Sequence, residues 1–265
     1  MIKIILNPER DKSLLRKHPW IFTGAVQRLQ GSAENGAAAD IYSSDGKFLA
    51  RAAISKESQI VARVWTFDER EEINGDYFRR RLRNAIQLRE ELKSKIQSNA
   101  FRLVNAESDG LPGIVIDEYD EFLVCQFLTA GAELWKKEIV LQLSELVRCK
   151  GIYERSDVDV RKKEGFEFSS GVLFGEEPPD EIEIYEGDVR LLVNIKTGHK
   201  TGMYLDQRSN RNFLSTFTKD KTVLNCFSYT GGFALHALKG GAKEVTNVDS
   251  SMNVLELAEK NVLLN

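Results

Sequence analysis

Cysteine and histidine are scarce, three of each in 265 residues, and their placement closes off several kinds of chemistry. Cys125, Cys149 and Cys226 are an odd number at wide spacings, so they outline no disulfide framework; two lie inside apolar runs, where a thiol behaves as a small hydrophobe, and all three are expected to be reduced. His18, His199 and His236 have no Cys or His partner at ligand spacing, which sets zinc aside and leaves no metal in view. No apolar run approaches the ~18 residues that a membrane-spanning helix needs, and no basic start leads into the apolar stretch of a signal peptide. A cytoplasmic protein without a membrane partner is expected. Repeats and low-complexity tracts are also missing.

What is present is a globular composition, 42% hydrophobic and 29% charged, in a chain long enough for two or three small domains, each with a core. The net charge of -3 hides an asymmetry: residues 1–100 hold 18 Lys and Arg against 13 Asp and Glu, and the remainder 19 against 27. A basic first half suits a polyanionic partner, and a solvated face explains it equally well.

Up to about residue 67 the pattern is short strands broken by turns, at 20–22, 39–42, 47–51 and 59–65, with Asp45-Gly46 as a hairpin signal. This reads as a small β domain, residues 1–69. Polar residues 68–72 connect it to a helix over 76–96 carrying Phe78, Leu82, Ile86 and Leu92 at near-helical spacing. Its other face is basic, and Arg79, Arg80 and Arg83 are candidate RNA contacts, although such a face often serves only solvation. Strands at 101–105, 114–117, 122–128 and 152–155, with a helix over 133–147, make a central α+β domain, residues 70–180. Residues 109–113 read as a rigid turn between strands. After the Pro-containing boundary at 176–180, residues 181–185 and 189–195 alternate about Gly187 as a hairpin, opening a third part, 181–265.

The third part carries the chemistry. Val223 and Leu224 read as a buried parallel strand, the turn 225–232 follows, and Phe233, Ala234, Leu235, Ala237 and Leu238 make an apolar helix that stops at Gly240-Gly241. The turn thus sits at the carboxyl end of a strand, where doubly wound sheets bind cofactors. Asp249 ends the next strand, 18 residues after Gly231, near the offset at which a carboxylate meets ribose hydroxyls; it could instead cap the helix opening at Ser250 or Ser251. Ser228 and Thr230 stand where a pyrophosphate site would have its first two glycines, and no P-loop pattern occurs. A cofactor with an adenosine, an amino-acid tail and no phosphate fits better: S-adenosyl-L-methionine.

Upstream, Lys196-Thr-Gly-His-Lys-Thr-Gly-Met-Tyr-Leu-Asp-Gln-Arg208 runs through two Gly-containing turns into a helix that Asp206 or a neighbour caps. Gln207, Arg208 and Arg211 project from its first turns, with both arginines on one face. That face suits a cofactor carboxylate, an RNA phosphate or surface salt bridges.

This segment, together with Asn225-Cys-Phe-Ser-Tyr-Thr-Gly-Gly-Phe233, resembles the bacterial class I S-adenosylmethionine-dependent methyltransferases that act on cytosine C5 of large-subunit ribosomal RNA. The resemblance runs the length of the chain. Arg16-Lys-His-Pro-Trp-Ile-Phe-Thr-Gly24 looks like the start of that family's PUA domain, which adds Arg16 and Lys17 to the RNA candidates, and 105–113 and 151–155 look like its central domain. It implies a multi-domain α/β fold: a PUA-like β barrel, a central α+β domain and part of a Rossmann-like methyltransferase domain. It also implies a cofactor site lined by Asn225, Phe227, Ser228, Thr230, Gly231, Gly232 and Asp249, with Gln207 and Arg208 beside it.

In that family a cysteine thiolate adds to cytosine C6, which activates C5 toward the methyl donor. The family places this Cys, and an Asp-Pro-Pro motif, on later strands that this chain does not reach. No catalytic residue is therefore expected within it, Cys226 being read as lying beneath the turn at the end of a buried strand. The chain reads as a C-terminally truncated piece, inactive alone, whose two Rossmann strands would leave apolar sheet surface without neighbours. The partner implied is ribosomal RNA, with a homodimer left open. A guanine-N methyltransferase of related architecture and a non-catalytic RNA-binding protein are the alternatives.

Overall fold

The computed structural model describes residues 2–32 and 34–265, which form two compact units. The first comprises the chain up to Arg89 with Arg102–Asp117 and Glu121–Glu177; the second comprises Glu90–Phe101, Glu118–Asp120 and Pro178–Asn265.

The first unit opens with strand β1 (Lys3–Leu6), the single-turn helix α1 (Lys12–Leu15), and strands β2 (Trp20–Phe22), β3 (Val26–Gln30), β4 (Ala38–Tyr42), β5 (Phe48–Ile54) and β6 (Ile60–Thr66). They form one six-stranded sheet in the order β2-β6-β5-β4-β1-β3, antiparallel except where β1 lies parallel to β4. Side chains alternate across the pleat, so Ile4 and Leu6 of β1 join Ile21, Ile41, Ala50, Ala52 and Val64 in one core. The hairpin at Asp45-Gly46 forms as its sequence predicts, with Gly46 at φ +85° and Ser43 N–H bonded to the Lys47 carbonyl at 2.9 Å. Strands β1 and β3 escape sequence analysis: β1 has four residues, and β3 is mostly exposed and polar.

Helix α2 (Gly75–Lys93) begins where the Asn74 side chain accepts the Tyr77 N–H at 3.0 Å. It buries Tyr77, Phe78, Leu82 and Ala85, whereas Leu92, expected on the apolar face, is exposed. Strands β7 (Ala100–Asn105), β8 (Ile114–Tyr119) and β9 (Phe122–Phe127), helices α3 (Ala130–Leu134) and α4 (Lys136–Leu146), β10 (Gly151–Ser156), the turn of helix α5 (Asp159–Lys162) and β11 (Ser169–Gly175) follow. The strands form a second sheet in the order β11-β10-β9-β8-β7. The single helix expected over 133–147 is broken at Trp135, and α3 is opened by the Thr129 hydroxyl, which accepts the Ala132 N–H at 3.3 Å. β11, rich in Ser and Gly, carries no periodic signal because it is an edge strand with little to bury.

The second unit holds the hairpin β12 (Ile182–Glu186) and β13 (Val189–Val193), helix α6 (Arg208–Ser215), strand β14 (Thr222–Cys226), helix α7 (Gly232–Lys239), strand β15 (Glu244–Val248) and helix α8 (Met252–Leu264). β14 and β15 pair in parallel, Asn225 opposite Asn247. Their sheet has two strands, and one face lacks cover: Leu224 is 65% and Val248 49% exposed. The buried strand expected at Val223-Leu224 is therefore only half buried, and Cys226 is exposed rather than enclosed. Helix α8 is fixed by two asparagines a turn apart. Asn261 accepts the Leu192 N–H at 2.6 Å and donates to the Thr230 carbonyl at 3.0 Å, and Asn265 bonds both peptide groups of Arg190, its Oδ1 accepting the N–H at 2.9 Å and its Nδ2 donating to the carbonyl at 2.7 Å.

Candidate functional site

The turn between β14 and α7 is wound tightly by residues that rarely adopt such a backbone. Phe227 and Tyr229 have φ of +56° and +47°, and Gly231, at +79°, opens α7. A left-handed conformation at a non-glycine residue costs of order 1 kcal/mol or more and persists only where surrounding bonds hold it. Here Ser228 N–H bonds the Val248 carbonyl at 3.1 Å, and Tyr229 N–H bonds Asp249 Oδ2 at 2.9 Å. The other oxygen of Asp249 accepts Ser251 N–H at 3.1 Å. These N–H groups, first Ser251 and then Tyr229, hold the Asp249 carboxyl below the usual carboxylate range. Asp249 thus holds the turn that leads into α8 while facing the cavity described next, and α8 itself, with Ser251 at its N-cap, starts without a side-chain cap.

A cavity of about 350 Å³ opens over this turn. Phe227, Ser228, Tyr229, Thr230, Gly232 and Phe233 line it from the turn and α7, and Asp249 and Ser250 from the end of β15. The rest of the lining is His199, Met203, Tyr204, Gln207 and Arg211, of which Arg211 adjoins the start of α7. The His199 ring stacks on Tyr229 with centroids 4.8 Å apart, and Tyr204 meets both rings edge-on. The Tyr229 hydroxyl donates to the Gly202 carbonyl and accepts the His199 N–H, both at 2.9 Å, which ties this wall to the turn.

Of the residues expected to hold a cofactor, Gln207, Phe227, Ser228, Thr230, Gly232 and Asp249 face this cavity. Asn225, Gly231 and Arg208 do not line it. Asn225 donates to Asn247 across the strand pair at 2.8 Å, and Gly231 lies against Ala258 of α8. Arg208 is turned inward: it donates to the Ala100 carbonyl, lies over the Phe101 ring at 4.8 Å and pairs with Glu186 at 3.4 Å. Burial pushes its guanidinium pKa down. Arg211, on the same helix face, reaches the cavity instead. Helix α6 also starts without a side-chain cap, so the Asp206 cap expected there is not formed.

Glu186, which no sequence signal singled out, anchors this wall. Its side chain is fully buried, accepts Arg211 Nε at 2.8 Å and Nη2 at 2.5 Å, and lies 3.7 Å from His236 Nε2. At the end of a hairpin strand beside Gly187, a glutamate reads as a surface residue; only the long-range pairing reveals its role.

The RNA candidates belong to the first unit. Arg16 and Arg83 are exposed, and Lys17 Nζ sits 4.4 Å over the Phe67 ring. Arg79 pairs with Glu145 and bonds Gln142 at 2.8 Å, and Arg80 pairs with Glu71, so the basic face of α2 is substantially neutralised. Among the described residues no cysteine lines the cavity over the turn, no cluster of His, Cys, Asp or Glu could hold a metal ion, and no helix is long and apolar enough to cross a membrane.

Two family descriptions match this chain: PUA-like domain over residues 4–67, and S-adenosylmethionine-dependent methyltransferase over residues 160–265. Curated relatives named ribosomal RNA large subunit methyltransferase I include proteins from Aeromonas salmonicida, 53% identical over 99% of this chain and 66% of theirs, and from Aliivibrio fischeri, 52% identical over 100% and 67%. The chain therefore spans about two thirds of the length of these relatives. A solved protein from Streptococcus mutans, described as a SAM-dependent methyltransferase, superposes with a TM-score of 0.85 at 27% identity, covering 100% of this chain and 68% of its own. A solved methyltransferase complexed with SAH gives 0.86 at 27% identity, over 99% of this chain and 66% of its own. With its PUA-like start, its strained turn and its cavity, the chain belongs to the ribosomal RNA large subunit methyltransferase I family of S-adenosylmethionine-dependent methyltransferases.

Proposed function

We propose that the protein methylates large-subunit ribosomal RNA in the cytoplasm, at C5 of a cytosine, with S-adenosylmethionine as donor. The observation that carries the cofactor assignment is Ser228. Its hydroxyl is buried in the wall of the cavity without a hydrogen-bond partner among the described residues, a costly arrangement unless a ligand supplies one. Asp249 fits the same ligand: each carboxylate oxygen accepts one backbone N–H and retains a lone pair for a ribose hydroxyl. The turn lacks the glycines a pyrophosphate needs and offers a stacked aromatic wall, which suits an adenosine carrying an uncharged linkage.

Bound there, the cofactor would supply an electrophilic methyl group on sulfur. The chain's own residues bind and orient it: Asp249 and Ser228 fix its polar groups, Tyr229 and Phe233 exclude water, and Gln207 and Thr230 complete the lining. The thiol that cytosine-5 chemistry requires is not among the described groups lining this cavity, and Cys226, on the exposed face of β14, does not border it. RNA contact is assigned to the PUA-like domain through Arg16 and Lys17, with Arg83 as an exposed cation of α2. The division into parts 1–69, 70–180 and 181–265 belongs to this proposal, and a homodimer plays no role in it.

Calorimetry tests the cofactor assignment. S-adenosylmethionine should bind the wild-type chain and bind Asp249→Ala at least about tenfold more weakly, a loss of ~1.4 kcal/mol. No binding to either would leave a non-catalytic RNA-binding protein. Nucleoside analysis of ribosomal RNA methylated by the whole protein decides the atom: 5-methylcytidine supports the proposal, and an N-methylguanosine replaces it with the related guanine-modifying activity.

A further inference from the structure

The part of the wall formed by Arg211 carries a charge arrangement that its surroundings leave incomplete. Among the described residues Glu186 is the one carboxylate paired with Arg208 and Arg211, and it lies 3.7 Å from the buried His236. Burial lowers the imidazole pKa, so His236 stays neutral, and one carboxylate faces two guanidiniums. Arg211 is itself buried, lines the cavity, and lies against the first residue of α7, its Cδ 3.3 Å from where a Cβ on Gly232 would be. The N-terminal end of α7 presents N–H groups without intrahelical partners and the positive end of the helix dipole. A cation and a helix N-terminus therefore share one side of the cavity, an unfavourable pairing that an anion between them would relieve. The unpartnered Ser228 hydroxyl points independently to a ligand at the same place.

Arg211 can meet such an anion. Of its five N–H donors, Nε and one on Nη2 are held by Glu186, and one on Nη1 by the Tyr204 carbonyl at 3.1 Å. One donor on each terminal nitrogen remains for an anion, and an arginine suits a carboxylate through two such nitrogens.

We propose that Glu186 is a positioning residue of the cofactor site: it clamps Arg211 so that this remaining pair, with the first N–H groups of α7, seats the carboxylate of the cofactor's amino-acid tail. The proposal rests on the cofactor reading above, and two ligands separate them. S-adenosylhomocysteine carries the tail, and 5′-methylthioadenosine keeps the adenosine and sulfur without it. Calorimetry with both, on the wild-type chain and on Glu186→Gln, should show S-adenosylhomocysteine weakened at least about tenfold and 5′-methylthioadenosine changed less than about twofold. Arg211→Lys keeps the charge but loses the fork, so it should reproduce the selective loss even if Glu186→Gln folds poorly, and Glu186→Asp should recover part of the affinity. Equal weakening of both ligands, or of neither, in Glu186→Gln and Arg211→Lys overturns the positioning role alone. Failure of the wild-type chain to bind either ligand overturns the cofactor reading and this role with it.

Discussion

His236 shows how position alone assigns a residue its chemistry. One turn into α7, its Nδ1 lies 2.9 Å from the Gly232 carbonyl, a bond the neutral ring can donate, while Glu186 lies 3.7 Å from its other nitrogen. Desolvation lowers its pKa below the ordinary value of about 6.5, against the pull of the Gly232 carbonyl and Glu186. The unfolded chain therefore takes up this proton first as the pH falls. The contribution is present above the ordinary histidine value and is lost as the pH drops below it toward the folded value. Thermal melts between about pH 7.5 and 5.5 should show the wild-type chain losing stability faster than His236→Gln; parallel profiles would show that another group governs the slope. Nothing in the sequence around His236 announces this. Its apolar neighbours Ala234, Leu235 and Ala237 predict a buried helix face, but the carboxylate it meets lies fifty positions upstream.

At the scale of elements, helices with strong periodicity were legible and their fastenings were not. Phe78 and Leu82 mark the buried stripe of α2, whereas Leu92 matches the period and is exposed, because near the end of the helix nothing covers that face. Helix α8 depends on a polar residue instead. Asn261 is completely buried and links the edge of β13 to the cofactor turn through Leu192 N–H and the Thr230 carbonyl. Asn261→Ala leaves both groups unpaired, at a cost of about 1–3 kcal/mol for each one that water cannot reach. An unfolding free energy lowered by ~2 kcal/mol, read as a lower denaturant midpoint at unchanged slope, is expected, and cofactor affinity should fall because Thr230 is released. A variant as stable as the wild type would mean that water satisfies these groups.

At the scale of the molecule, the second unit exposes a face that a soluble protein ordinarily covers. Leu224 and Val248 lie on the two-stranded sheet, and Phe227, 92% exposed, stands beside them at the turn. Apolar surface on a strand pair with open edges promotes association. Leu224→Lys should reduce light scattering and binding of a hydrophobic dye while shifting stability by no more than about 0.5 kcal/mol, since little is buried there to lose. Unchanged scattering would locate association elsewhere.

The sequence by itself determined the local design: the small-residue turn with a carboxylate on the next strand, the lack of phosphate-site glycines, and the motif at 196–208 that together point to S-adenosylmethionine. Those features are legible because each depends on residues close in the chain and on backbone conformations that few residue types tolerate. Tertiary structure decided which side chains the site uses. Arg208 and Arg211 are equivalent by spacing, and the buried Glu186, contributed by a distant hairpin, clamps Arg211 through two bonds where it borders the cavity while Arg208 turns to the Ala100 carbonyl. A buried charge must find its partner through space, and no local pattern in the chain encodes that meeting.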